Sequence, residues 1–119
     1  MLRIEQSFRY ARAALDRSAW TIESLRARLG SAEKAGSSRQ RLALRGVLYD
    51  LGKRRDFLRA LHAEVAACPA EAFAERWRAF QEGYDDFLEA ARAGRRELDR
   101  ADREDPVAPT PRGVDCTQR

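Results

Sequence analysis

The sequence predicts an all-α protein, an up-down-up antiparallel bundle of three long helices with a disordered C-terminal tail. Two observations carry the prediction. From Phe73 to Leu98 the positions Phe73, Trp77, Phe80, Tyr84, Phe87, Ala91, Gly94 and Leu98 recur in alternating steps of four and three, the heptad period of a helix with one apolar seam and a period no strand can have. The composition agrees: 35% of the 119 residues are charged and 44% hydrophobic, with Arg and Ala prominent, a mixture that suits long helices with a solvated side. Such a length supports one domain with a core of its own, placed at residues 1–104.

The first helix is expected over about residues 2–29. Ile4, Phe8, Ala11, Leu15, Ser18, Ile22, Leu25 and Leu29 follow the same four-three alternation, and the small neighbours Ser7, Ala14, Ala19 and Thr21 widen the stripe into a broad buried face. Gly30 can stop this helix as a left-handed C-cap, leaving a short loop to Gly36 in which one more turn through Ala32–Ala35 is possible.

The second helix, over about 38–67, opens on a capping box, with Ser37 as the cap and Gln40 reaching back. Its main stripe is Leu44, Val47, Leu48, Leu51, Leu58, Leu61 and Val65. Leu42, Tyr49, Phe57, Ala60 and Ala67 lie on another side, so this helix is apolar on two faces and suits a central place, either between neighbours or between its own bundle and a second copy. Gly46 and Gly52 each cost about 1 kcal/mol relative to Ala inside a helix, which points to close helix approach or a bend. Cys68-Pro69 ends the helix, and Pro69 suits the first position of the third, expected over about 70–103. Residues 105–119, Pro-rich and without periodicity, read as the tail.

Charge is uneven along the chain. The net charge is +4, yet the first two helices are basic and the third is acidic, with Glu71, Glu75, Glu82, Asp86 and Glu89 on a ridge opposite the aromatic seam. Arg41, Arg45, Arg55 and Arg59 project within one sector of the second helix, with Gly52 among them and His62 at its edge. Such a sector can bind phosphates through planar guanidinium forks and counterion release, or balance acidic neighbours. No helix-turn-helix, zinc-finger or RNA-binding signature accompanies it. Trp20, about 160° from the first helix's seam, is left outside a single bundle and marks a contact point for a partner.

Catalytic chemistry finds little material. His62 is the only histidine, which leaves no multi-histidine metal site, and Glu82, Asp85, Asp86 and Glu89 face outward without one. Phosphate-loop motifs are missing. Cys68 and Cys116 have no zinc or redox spacing and read as free thiols. No run of apolar residues reaches the length of a signal-peptide core or a membrane span, which points to the cytoplasm.

Arg55 and His62, with six residues between them and the polar Asp56 next to the arginine, form a spacing that resembles the Arg-to-His spacing of the helical HEPN ribonucleases. The resemblance implies RNA cleavage by Arg55 and His62 in a cleft that only a dimer closes. The reading the residues support first is different: a non-catalytic helical interaction or regulatory protein, homodimeric, cytoplasmic, without cofactor, metal or small-molecule substrate. Its contact surface is Trp20, Leu42, Tyr49 and Phe57. The alternative is a nucleic-acid-binding accessory protein that uses Arg41, Arg45, Arg55 and Arg59.

Overall fold

A computed structural model describes residues 4–104, and the expected tail lies outside them. Three helices follow one another: α1 (Ile4–Ala35), α2 (Ser38–Ala67) and, after a 3-10 turn at Ala70–Ala72, α3 (Phe73–Glu104). Their 32, 30 and 32 residues make each about 45–48 Å long. The contacts between helices set their directions. Gly83 of α3 lies against Leu58 and Leu61 of α2 while Gly94 lies against Val47, so α2 and α3 run antiparallel. Phe8 meets Phe73 at one end and Arg28 meets Asp102 at the other, so α1 and α3 run parallel. This is the up-down-up three-helix bundle.

The capping box forms as the sequence predicts. The Gln40 N–H donates to Ser37 Oγ at 3.1 Å, and the Ser37 N–H donates to Gln40 Oε1 at 2.9 Å. At the far end Cys68 is extended, the conformation that a following proline imposes. Pro69 does not open α3 directly. Its carbonyl accepts from the Ala72 N–H at 3.0 Å and closes the 3-10 turn that carries the chain into the helix.

Three further expectations are corrected. Helix α1 does not stop at Gly30 but continues to Ala35, because Leu25, Leu29 and Ala32 still pack on the core and outweigh the cost of one exposed glycine. The chain leaves the helix at Gly36, where a Cβ would meet the Ala32 Cα, Cβ and carbonyl oxygen at 2.9 Å. Gly46 and Gly52 do not mediate close approach within the bundle, since a Cβ at either would meet nothing within 4 Å; that role falls to Gly83 and Gly94. The buried face of α1 is also rotated. Its fully buried residues are Ser7, Ala11, Ala14, Ser18 and Ile22, while Phe8, Leu15, Leu25 and Leu29 flank them half-buried and Ile4 is largely exposed. Small residues hold the centre of this face, where Ser18 meets Arg55 of α2, while the rings of Phe8 and Tyr10 beside them meet those of α3.

That seam is Trp77, Phe80, Tyr84 and Phe87, all buried, with Leu98 further along. Burying each large side chain contributes about 1.5–3 kcal/mol. Phe80 and Phe87 pack with Leu51 and Leu58 of α2 to make the interior. Helix α2 is the central element, but its main stripe alone packs on both neighbours; the second apolar side, with Leu42, Tyr49 and Phe57, is exposed rather than sandwiched between helices. The helix packs closely on α3 at the two glycines, whereas rings hold α1 and α3 apart: Tyr10 packs edge-on against Trp77 at 5.7 Å and against Tyr84 at 6.2 Å.

Candidate functional site

The basic sector of α2 faces the crevice with α1, and most of it is used inside the chain. Arg41 closes the α1–α2 loop, donating to the Gly36 carbonyl at 2.6 Å and to Ser38 Oγ at 3.2 Å. Arg45 pairs with Glu33 of α1. Arg55 is half-buried, and its Nε donates at 3.0 Å to Oγ of the buried Ser18, which in turn donates to the Leu15 carbonyl at 2.7 Å. Only Arg59 of the four makes no hydrogen bond or ion pair among the described residues. Arg55 and Arg59 share an open groove of about 430 Å³ with Arg26 and Lys53, but Glu23 and Asp56 line it too and Arg26 is paired with Glu23. Its field is therefore mixed rather than uniformly positive.

His62 lies away from this groove. Its ring sits edge-on to Phe8 and Phe80, each at 6.2 Å, in the aromatic end of the bundle. Seven residues along one helix separate it from Arg55 by about 10 Å of rise. Arg55 turns to Ser18 and His62 to the aromatic rings, so the two do not converge within one chain. Beside His62's cluster, burial pushes the Tyr10 hydroxyl above its ordinary pKa, Tyr84 and Asp85 add to the effect, and Arg17 opposes it. The Tyr84 hydroxyl and Ser7 Oγ are buried with no hydrogen-bond partner among the described residues.

The four apolar side chains singled out in the sequence are all exposed: Leu42 by 72%, Trp20 by 70%, Tyr49 by 69% and Phe57 by 60%. They do not form one patch. Tyr49 rims the α1–α2 groove, with the Lys53 ammonium 5.3 Å from its ring centroid. Leu42 borders a second groove, between α2 and α3, and Phe57 stands beside Gly83 on that same α2–α3 side. Trp20, on α1, lines neither groove.

The α2–α3 side holds what the sequence reading did not single out. A depression of about 250 Å³ lies among Leu42, Ala43, Gly46, Glu97 and Ala101, and another of about 260 Å³ among Gly46, Val47, Ala90, Ala93 and Gly94. They share Gly46 and Glu97 and so run on from one another along the crevice. The available signal was the recurrence of Ala and Gly at 90, 93, 94 and 101 in α3 beside the unexplained Gly46.

At the end where α1 meets α2, Asp102 ties the three helices together. Its Oδ2 accepts from Arg28 at 2.8 Å and its Oδ1 from Gln40 Nε2 at 3.0 Å. Among the described residues no group of three or more His, Cys, Asp or Glu side chains gathers as a metal site would require, and no helix is long and apolar enough to cross a membrane. Comparison with protein-family models, with curated proteins and with solved structures gives no match.

Proposed function

We propose that this is a non-catalytic helical interaction protein, regulatory in that it acts through contacts with other protein surfaces, homodimeric and cytoplasmic. The observation that carries the reading is the outward side of α2, where Leu42, Tyr49 and Phe57 follow each other at steps of seven and eight residues, each more than half exposed. Leu42 and Phe57 border the α2–α3 crevice and Tyr49 rims the α1–α2 groove, so α2 offers apolar side chains on both margins of its outward side, which is what a partner helix packs on. The basic sector supports a ligand site less well, since Arg41, Arg45 and Arg55 are already engaged within the chain.

The test is the solution mass of the purified protein by light scattering at low and high salt, with the A260/A280 ratio recorded. A dimer free of nucleic acid at both salts is the expected result. A monomer that carries nucleic acid until the salt is raised would overturn the reading in favour of Arg41, Arg45, Arg55 and Arg59 as a phosphate-binding face, because counterion release makes such binding steeply salt-dependent. RNA cleavage that disappears in His62→Ala would overturn it in favour of the Arg55 and His62 pair.

A further inference from the structure

We propose that the partner is a second copy of this chain, seated antiparallel on the α2–α3 side so that Phe57 of each copy enters the depression at Gly46 of the other. This rests on the interaction reading above and adds to it the face, the register and the direction.

The face is self-complementary, as a two-fold contact requires. It carries an exposed ring, Phe57, beside Gly83, and a depression of about 260 Å³ floored by small residues around Gly46 and Gly94 and rimmed by the side chains of Asp50, Arg54 and Glu97. Gly46 costs α2 about 1 kcal/mol, and a Cβ at this position would meet nothing within 4 Å on the neighbouring helices that accounts for it. A second helix lying against it does account for it.

Setting Phe57 over Gly46 of the second copy fixes every other pairing. The two-fold axis then passes between Leu51 and Gly52, in the middle of the 30-residue helix, so the two copies of α2 overlap along nearly their whole length. Lys53 comes opposite Asp50 of the second copy, and Arg39 opposite Glu64. Along α2, Arg39, Leu42, Gly46, Asp50, Lys53, Phe57 and Glu64 all fall within one sector by helical rotation, so one register brings a ring to a hole and two cations to two carboxylates. All four groups are already engaged within the chain, Asp50 with Arg54, Glu64 with Arg76, Lys53 over the Tyr49 ring and Arg39 with a partner of its own; the two bridges are exposed, however, and a carboxylate can accept from a second cation. A strip about 45 Å long and two helices, or about 20 Å, wide covers about 900 Å² on each copy, the size of a standard stable interface.

The experiment has two parts on the full chain. First, dimer dissociation is followed by light scattering for the wild type, Gly46→Leu, Lys53→Glu and the swap Lys53→Glu with Asp50→Lys. Gly46 opens to empty space in the single chain, so Gly46→Leu should keep its helicity and thermal stability while dissociation becomes at least roughly tenfold easier through loss of the hole. Lys53→Glu should weaken the dimer by roughly tenfold and the swap should restore it. Second, Arg39→Cys and Glu64→Cys are made separately in a Cys68→Ser, Cys116→Ser background and treated with a short bis-maleimide. The mixture should give a cross-linked heterodimer and Arg39→Cys alone should not, because the two copies of residue 39 lie about 37 Å apart in this register. A dimer in which Arg39→Cys links to itself, or in which the mixture does not link, overturns the face and register and leaves the interaction reading standing. A chain that stays monomeric at high micromolar concentration overturns the second copy as partner and with it the homodimeric part of the reading above, and nucleic acid bound to that monomer overturns the interaction reading as well.

Discussion

Gly94 of α3 lies directly against Val47 of α2: a Cβ added at Gly94 would sit 2.8 Å from Val47 Cγ1 and 3.3 Å from Cγ2. Val47 is buried and β-branched, so it has little rotamer freedom with which to yield. This contact sets the α2–α3 spacing at one level, and it divides the helical glycines into two kinds.

The first prediction follows from that division. Gly94→Ala should destabilise the protein by about 1–2 kcal/mol, overpacking outweighing the gain in helix propensity. Gly83→Ala should cost less, because the nearest atom it meets, Leu61 Cδ1 at 2.7 Å, is the end of a flexible side chain. Gly52→Ala and Gly30→Ala, which meet nothing, should stabilise by up to about 1 kcal/mol, or about 4 °C in melting temperature. Thermal unfolding of the four variants followed by circular dichroism checks the order.

The rotated face of α1 gives a second. Ala14→Leu should cost about 1–3 kcal/mol by overpacking a site that is 2% exposed. Leu15→Ala, at the half-buried flank, should cost less than the roughly 2–5 kcal/mol of a fully buried leucine. A result in which Leu15→Ala is the more damaging would return the seam to the positions that hydropathy alone selects. Urea midpoints measure both.

Asp102 holds Arg28 of α1 and Gln40 of α2 at once, so Asp102→Ala should loosen one end of the bundle more than the whole. About 1 kcal/mol is the expected loss in global stability, since both partners are partly exposed, and it should shrink at high salt. Amide hydrogen exchange should quicken around residues 28–40 and stay unchanged at the aromatic end. Uniform acceleration along the chain would contradict this local role.

The Tyr84 hydroxyl is buried without a partner among the described residues. Tyr84→Phe keeps the ring that packs against Tyr10 and removes the unsatisfied group, so it should stabilise the fold by about 1 kcal/mol. Denaturant unfolding tests the sign. A loss of stability would mean that the hydroxyl has a hydrogen-bond partner in solution.

The two tryptophans separate by environment, Trp77 being 7% exposed and Trp20 70%. Trp20→Phe should leave a blue-shifted emission that acrylamide quenches poorly. The same substitution should leave the dimer mass unchanged, because Trp20 lines neither the α2–α3 crevice nor its rim. Dissociation on losing Trp20 would instead place the contact on α1.

Three helices, their order and the α2 boundaries were legible in the sequence because each rests on local chemistry. Heptad spacing selects a helix, Ser37 and Gln40 satisfy the first N–H groups of α2, and Pro69 ends it. Which face of α1 is buried, where α1 stops, and which glycines bring helices together are facts about distance between elements, and one-dimensional periodicity does not contain them. Ser7, Ala11 and Ala14 are buried because the neighbouring helices close over that side of α1, and Gly30 stays helical because Leu25, Leu29 and Ala32 still have a core to pack on. The candidate surfaces divide the same way. Counting along α2 separates Leu42, Tyr49 and Phe57 from its main stripe but leaves open whether a neighbouring helix covers them; their exposure, the engagement of Arg41, Arg45 and Arg55 by Gly36, Glu33 and Ser18, and the hole at Gly46 and Gly94 exist only once the helices stand side by side.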